Sequence, residues 1–289
     1  MGRLIIVALT AACAFGEMSY QASIEQWRQQ REANLKSDSG WLTVAGLIWL
    51  KDGANIAGSD ASSDILLPRG PAKAGVFDFH DGKTIFHPAS DAGILVNGNA
   101  AASDTELKPD TEGKPDQVTF EGLTMFVIHR GNRYAIRLKD TTSKFRKEFT
   151  SLHWFPVDPS YRVTAKFVAH KTPTLLAVPN ILGETEQEPS PGYVLFTLQG
   201  HEFRLDPVLE DDQLFFIFHD ETSGKETYAP GRFLYSDLAK DGQVVLDFNK
   251  AYNPPCAFTP YATCPLPPKQ NRLAVRIEAG ERKYGNAAH

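Results

Sequence analysis

The sequence from Phe215 to Asn271 reads FFIFHDETSGKETYAPGRFLYSDLAKDGQVVLDFNKAYNPPCAFTPYATCPLPPKQN. Three runs of aromatic and β-branched residues stand in it, at Phe215–His219, Thr227–Tyr235 and Gln243–Phe248. Turn sequences that contain glycine separate these runs, which is typical of an antiparallel meander. The chain is therefore expected to fold around three neighbouring strands in its second half.

A proline-rich segment, residues 249–271, follows the last of these strands. Proline cannot continue a helix or donate to a strand ladder, so the segment is expected to be irregular. Loops of this length in compact domains are usually functional or disordered. The aromatic residues Tyr252, Phe258 and Tyr261 favour an ordered loop, which we expect to fold back over the meander.

The composition is that of a globular protein. Hydrophobic residues make up 42% of the 289 residues and charged residues 22%. This length is enough for one large β domain or for two smaller ones. The formal net charge is −5 and the sequence has no basic cluster, which argues against a nucleic-acid partner.

Residues 1–16 have the pattern of a signal peptide, with one positive charge before the apolar run Leu4–Phe15 and small residues at the end. The sequence predicts export to the periplasm or the cell exterior, with a mature chain that starts near Glu17 and has no membrane contact. A lipid anchor on Cys13 is an alternative, because the preceding residues resemble a bacterial lipobox in which Thr10 replaces the usual leucine. An uncleaved membrane anchor would need a longer apolar run.

Two cysteines, Cys256 and Cys264, remain after the predicted cleavage. An even number of cysteines in an exported protein indicates a disulfide first. Two inert buried thiols, a redox pair or half of a metal site are the alternatives. The spacing matches neither the Cys-x-x-Cys redox motif nor the usual zinc patterns. We therefore predict a disulfide, no metal site and no cofactor.

Strand and turn patterns divide the chain into four parts. Residues 1–16 are the signal peptide, and residues 17–40 form an amphipathic helix. Residues 41–155 contain short strands with regular turn signals, as in a small β-sandwich. Residues 156–289 contain eight candidate strands, a number that suits a β-barrel-like unit, which the loop 249–271 would close. The predicted fold class is all-β and mainly antiparallel.

Three motifs in the predicted sandwich, Gly58–Asp60, Ser63–Pro68 and Val96–Gly98, resemble the forkhead-associated sandwich. A phosphothreonine reader of that family carries an arginine after the first glycine, where this chain has Ser59. Such a reader also carries a Ser-Arg-x-x-His-like segment later, where this chain has Ala72–Gly75. The resemblance therefore implies a scaffold of this kind that does not bind phosphopeptides.

Further short motifs are spread along most of the mature chain. They are Gly40-Trp41-Leu42, Gly58-Ser59, Trp154-Phe155-Pro156, Thr227–Tyr235, Asp247–Pro268, Asn271-Arg272-Leu273 and Ala279-Gly280-Glu281. Together they resemble a bacterial and archaeal family known only as domain of unknown function number 1684. That family has no assigned activity, so the resemblance implies a grouping and leaves the function open.

Arg232 is the candidate of chief functional interest. A guanidinium inside a strand has to be paired or to face a ligand, because an unpaired buried charge is very costly. Asp247, on the expected neighbouring strand, is the expected partner. One interpretation is a structural ion pair that holds the loop. The other is a pocket in which Arg232 binds an anionic group, with hydrogen bonds from Tyr228, Asp247, Asn249, Tyr252 and Asn253.

A hydrolase-like enzyme is the alternative to a binding module. His219, Glu221 and Asp247 have side chains that act as acids and bases in such enzymes. Neighbours in one strand and turn cannot converge as a catalytic triad requires, and the sequence has no Gly-x-Ser-x-Gly motif. The sequence therefore favours an exported protein that binds a small polar or anionic ligand, with a ligand-free envelope scaffold as a further alternative.

Overall fold

The computed structural model describes residues 18–101 and 103–285. It consists of antiparallel β-sheets with one long helix near the start, which confirms the predicted all-β, mainly antiparallel class. The predicted signal peptide, residues 1–16, lies outside the described residues.

Helix α1 spans Tyr20–Lys36, within the predicted range 17–40. The hydroxyl of Ser19 accepts a hydrogen bond from the amide of Ala22 at 3.2 Å and so caps the helix start. Ile24 and Leu35 are buried on the inner face. The helix therefore packs along the protein through one apolar side, as its helical spacing predicted.

The first half of the chain folds into two sheets around one core. Its strands are β1 (Val44–Trp49), β2 (Gly53–Gly58), β3 (Ile65–Leu66), β4 (Gly75–His80), β5 (Lys83–Pro88), β6 (Leu95–Val96), β7 (Asn99–Ala100), β8 (Thr105–Leu107), β9 (Val118–Phe120), β10 (Leu123–Arg130) and β11 (Arg133–Asp140), and helix α2 (Lys144–Glu148) follows. The sheet orders are β1-β11-β10-β9-β6-β7 and β3-β2-β4-β5-β8. One apolar core cluster contains Phe77 and Phe86 of the second sheet and Met125 of the first sheet. The resemblance of this half to the forkhead-associated sandwich stays a prediction.

The second half also contains two sheets. Its strands are β12 (Arg162–Pro179), β13 (Thr185–Leu198), β14 (His201–Leu205), β15 (Val208–Glu210), β16 (Gln213–Phe218), β17 (Arg232–Asp237) and β18 (Gln243–Asp247). The sheet orders are β14-β13-β12-β18 and β15-β16-β17. Phe196, Phe216 and Phe248 belong to a core cluster that both sheets share. Closure of these strands into a barrel stays a prediction.

The predicted meander is right for its first two strands and wrong for its third. Strands β16 and β17 pair in antiparallel fashion, but β18 pairs with β12 and not with β17. The second strand also begins at Arg232 and not at Thr227, because hydrogen-bonded turns occupy the residues before Gly231. Long-range pairing with the first strand of this half thus decided the place of β18.

The segment after β18 is irregular and ordered, as predicted. It contains three short 3-10 turns, at Phe248–Lys250, Pro255–Ala257 and Lys269–Asn271. Phe233 and Tyr252 exchange two backbone hydrogen bonds of 2.9 Å each. The loop therefore returns along β17, which is the predicted fold-back over the meander.

No helix within the described parts of the chain is long and apolar enough to cross a membrane.

Gly231, immediately before β17, offers a test of the packing between the loop and the meander. Its φ is +133°, and an added Cβ would lie 2.5 Å from the carbonyl oxygen of Phe218 and 2.7 Å from the ring of Pro267. We expect Gly231→Ala to lower the free energy of unfolding by about 2–4 kcal/mol, because backbone strain and overlap add. Urea unfolding measures this change.

Gly242→Ala is the matched control. Gly242 has a φ of +72° and its added Cβ would meet no described atom within 4 Å. Only backbone strain remains, so the expected loss is about 1 kcal/mol. Equal losses for the two variants would contradict the close packing at Gly231.

Candidate ligand-binding cavity

Arg232 is buried with 0% exposure and is paired, but its partner is Asp220. Its Nη2 atom lies 3.1 Å from Asp220 Oδ1 and donates to the carbonyl of Ile277 at 2.9 Å, while Nη1 donates to the carbonyl of Ala279. The predicted ion pair with Asp247 is therefore wrong. The reason is the strand order, since Asp247 ends β18 in the other sheet.

The pair of Arg232 and Asp220 holds the C-terminal segment in place. Asp220 Oδ2 also accepts hydrogen bonds from the backbone amide of Ile277 at 2.8 Å and from the hydroxyl of Thr222 at 2.8 Å. Burial lowers the pKa of Arg232, while the carboxylate of Asp220 raises it. In this conformation Arg232 has no exposed surface with which to contact a ligand, so its predicted ligand-binding role loses its basis.

Asp247 and Asn249 connect the loop to the start of helix α1. Asp247 accepts a hydrogen bond from the hydroxyl of Tyr20 at 2.8 Å. Asn249 donates to the carbonyl of Asp158 at 2.8 Å and to the hydroxyl of Tyr20 at 2.9 Å. Both side chains are buried. Their predicted ligand-binding role is replaced here by a structural one.

The other predicted ligand-binding residues have three different surroundings. Asn253 is buried and donates to the carboxylate of Glu281 at 2.9 Å. Tyr228 packs in the apolar cluster around Cys256. Tyr252 is different, because its side chain borders a large cavity. The sequence therefore named six residues, of which the structure puts one at the cavity described below.

The acid and base candidates of the hydrolase alternative do not converge. His219 is half-buried at the end of β16, and burial, followed by the charge of Arg272, lowers its pKa. Glu221 is exposed in the following turn. Within the described residues no hydrogen bond or ion pair joins His219, Glu221 and Asp247. The arrangement that an acid-base mechanism needs is not assembled there.

Cys256 and Cys264 are buried thiols in contact with each other. The amide of Cys256 lies 3.1 Å from the sulfur of Cys264. A hydrogen bond with Cys264 lowers the pKa of Cys256, whereas burial raises the pKa of Cys264. The loop thus brings the two sulfurs together, and the disulfide itself stays a prediction.

A cavity of about 650 Å³ lies between the two halves of the chain. Its volume is in the range of small-molecule sites, which hold about 300–1,000 Å³. The basic residues on its wall come from α1, β10 and β11, and the acidic residues from β13 and β15, together with Asp110. An aromatic part consists of Trp41, Phe215, Phe233, Tyr235 and Tyr252.

Two of the arginines in this wall are paired with carboxylates. Arg130 contacts Asp110 through two hydrogen bonds of 3.1 and 2.8 Å. Arg31 lies 3.5 Å from the carboxylate of Glu281, and its guanidinium lies 4.5 Å from the ring centre of Tyr252. Burial raises the pKa of Glu281 to about 7. Both arginines therefore have structural roles that already satisfy much of their charge.

Arg137, on β11, is buried without such a partner. It is 5% exposed, and no carboxylate among the described residues lies within ion-pair distance. Its Nη2 donates to the hydroxyl of Thr263 at a long 3.4 Å, and its Nε is buried without a hydrogen-bond partner. Burial and the nearby charge of Arg130 lower the pKa of Arg137 to about 10. The charge of the more distant carboxylate of Asp110 acts in the opposite direction and raises the pKa of Arg137. The side chain is therefore still cationic near neutral pH and has no ion-pair partner among the described residues.

The acidic part of the wall lies on neighbouring strands. Glu186 and Glu188 stand two residues apart on β13, and Glu210 ends β15. Burial, followed by the charges of Glu186 and Glu210, raises the pKa of Glu188. Glu210 accepts a hydrogen bond from the hydroxyl of Tyr235 at 2.7 Å.

Reading the sequence alone missed most of this site. Arg137, Glu186 and Glu188 were not among the predicted functional residues. Residues 185–191 are acidic and contain two prolines, yet they belong to β13. Arg137 belongs to a predicted strand whose charged residues alternate, so it resembled a solvent-facing position. No local signal in the sequence distinguishes it from its neighbours.

This all-β protein matches a protein family over most of its second half. Residues 147–282 match the family model described as protein of unknown function (DUF1684). The chain belongs to this family, which confirms the predicted grouping. Arg130 and Arg137 precede the matched segment, whereas Glu186, Glu188 and Glu210 lie within it.

One solved structure is similar to about half of this chain. It is an uncharacterized protein of Haloarcula marismortui, studied by solution NMR, with 33% sequence identity. The similarity covers 50% of this chain and 81% of that protein, with a TM-score of 0.41. No curated protein matches this chain significantly.

The buried pair of Arg232 and Asp220 predicts a large effect on stability. Arg232→Met leaves the carboxylate of Asp220 buried without its cation, so we expect a loss of about 3–5 kcal/mol in the free energy of unfolding. Chemical denaturation measures it. Lys51→Met is the control, since Lys51 is 74% exposed beside Asp64 and such pairs contribute about 0–1 kcal/mol. Similar losses for both variants would contradict the structural role of Arg232.

Proposed function

We propose that this protein binds a small molecule whose anionic group contacts Arg137 in the cavity between the two halves of the chain. The observation that carries the proposal is the burial of the Arg137 guanidinium without a counter-ion among the described residues. A carboxylate or phosphate is the group that matches a guanidinium best, because it accepts two parallel hydrogen bonds.

The cost of the unpaired charge supports a functional role for Arg137. Removing a guanidinium from water costs several kcal/mol, roughly, unless an opposite charge compensates. A purely structural position would be more stable with an apolar side chain of similar size. Residues that reduce stability in this way are characteristic of functional sites. Arg137 is therefore better explained by a ligand than by the packing of β11.

The aromatic part of the wall supports a ligand with an apolar body. The rings of Phe215 and Tyr235 stack with centres 4.6 Å apart, and Tyr235 and Tyr252 lie parallel at 6.4 Å. Trp41 lies against Arg137 with 5.1 Å between guanidinium and ring centre. Aromatic side chains beside convergent polar groups are typical of small-ligand sites. An anionic molecule with a planar or hydrocarbon part fits this combination.

Two other interpretations make different predictions for the same cavity. A ligand-free envelope scaffold would have no use for a buried cation at Arg137, and a hydrolase would need acid and base groups close to the bound molecule. Binding that depends on Arg137 without turnover supports the proposed function over both.

The first experiment compares the wild type with Arg137→Met. Native mass spectrometry of the purified protein shows any small molecule that is retained, and calorimetric titration with 4-ethylbenzoate measures binding of a carboxylate with an apolar body. We expect both signals in the wild type and a loss of at least about tenfold in affinity in the variant, because the charged hydrogen bonds are removed. The unfolding free energy of the variant should be equal or higher, by up to about 3 kcal/mol.

Arg133→Met is the matched control for this experiment. Arg133 is also on β11, but it pairs with Glu184 and stands outside the cavity wall. Its replacement should leave binding unchanged. The proposed function is wrong if neither a retained molecule nor 4-ethylbenzoate binding depends on Arg137.

We further propose that the chain is exported and that Cys256 and Cys264 form a disulfide in the oxidising compartment. The signal-peptide pattern of residues 1–16 and the hydrogen bond from the amide of Cys256 to the sulfur of Cys264 support this proposal. A lipid anchor on Cys13 is the alternative form of export.

Export and oxidation are tested together on protein isolated from its native host. We expect an N-terminal sequence that starts near Glu17 and an intact mass about 2 Da below that of the reduced chain, because a disulfide removes two hydrogens. Cys264→Ser should abolish the mass difference. A chain that starts at Met1 would contradict export, and one that carries lipid on Cys13 would support the alternative.

A further inference from the structure

Three acidic residues of the cavity also lack partners of opposite charge. Glu186, Glu188 and Glu210 all contribute to the wall. None of them forms an ion pair with a lysine, arginine or histidine in the part of the chain that the structure describes. Glu186 accepts a hydrogen bond from the amide of Asn180 at 3.3 Å. Three carboxylates therefore share one region of the cavity without a neutralising cation.

Apart from Asp110, which pairs with Arg130, the positive and negative charges of the cavity wall lie on different halves of the chain. The arginines belong to α1 and to the sheet of the first half, whereas the three glutamates belong to β13 and β15 of the second half. If the cavity had evolved for an anion alone, three clustered carboxylates would repel it. The segregation instead fits a molecule with charges of both signs at different ends.

We propose that the ligand is zwitterionic, with an ammonium or guanidinium group against Glu186, Glu188 and Glu210 and its anionic group against Arg137. This inference rests on the proposed function, because the position of the anionic group fixes which end of the ligand faces the glutamates. The unpaired Arg137 is an observation independent of the glutamates, and both point to a ligand in the same cavity.

An organic cation fits the acidic region better than a metal ion. No group of three ligating side chains within residues 18–101 and 103–285 has the geometry to hold a metal. An ammonium or guanidinium group needs only hydrogen-bond acceptors around it and no fixed coordination sphere. The hydroxyl of Tyr235 donates a hydrogen bond to one carboxylate oxygen of Glu210. Glu186 and Glu188 are therefore the main acceptors for the cationic group.

The test uses two probes that differ in charge and hardly in shape. The first, 4-(aminomethyl)benzoate, has a carboxylate and an ammonium across a ring. The second, 4-ethylbenzoate, replaces the ammonium by a methyl group. Calorimetric titration near neutral pH should show that the wild type binds the zwitterion at least about tenfold more tightly, since a charge-assisted hydrogen bond is added.

Glu188→Gln keeps the shape of the wall and removes one charge. We expect this variant to lose most of the preference for 4-(aminomethyl)benzoate and to bind 4-ethylbenzoate as the wild type does or more tightly. Glu202→Gln, an exposed residue on β14 outside the cavity wall, is the control and should keep the preference.

The outcomes separate this inference from the proposed function. If the wild type binds both probes equally and through Arg137, the ligand is a simple anion and the zwitterion is overturned while the proposed function stands. If the preference exists but survives Glu188→Gln and Glu186→Gln, the assignment of the cationic end is overturned. If neither probe binds and no small molecule is retained, both proposals fail.

Discussion

The buried ion pair of Arg232 and Asp220 fixes the path of the C-terminal segment, and the cavity wall depends on that path. The pair fastens residues 277–279 against β17. Glu281 follows directly, and it holds Arg31 of helix α1 beside the ring of Tyr252. A charge buried in the second half therefore positions a residue of the first helix. The contacts of Arg232, Glu281 and Arg31 depend on one another, because each places the partner of the next. We therefore expect this part of the wall to form cooperatively.

Local patterns in the sequence were sufficient to predict the fold class but insufficient to predict which strands pair. Alternating and aromatic runs predicted most strands of both halves, and the predicted glycine-containing turns contain Gly224 and Gly242, both with a positive φ. Strand β18 was assigned to the wrong neighbour because its partner, β12, lies about eighty residues earlier in the sequence. The error carried over to Arg232, for which Asp247 looked like the adjacent carboxylate. Burial of Arg232 was predictable, whereas the identity of its partner required the sheet order.

The cavity was harder to predict than the strands, for a physical reason. Strand β11 alternates charged and apolar residues, so Arg137 looks like a solvent-facing position. It is buried where Thr263 of the proline-rich loop and the ring of Trp41 lie against it. Tyr252 was predicted because the loop that carries it is itself unusual. The site is therefore a product of contact between distant segments, and the pattern of one segment could not reveal it.

The cavity wall combines residues from the segment that matches the family with residues that precede it. The segment that defines the family contains the glutamates, while the arginines come from the part that precedes it. A relative that shares only the common segment lacks the part of this wall that precedes it. If the cavity binds a ligand as proposed, membership of the family does not by itself imply a shared ligand.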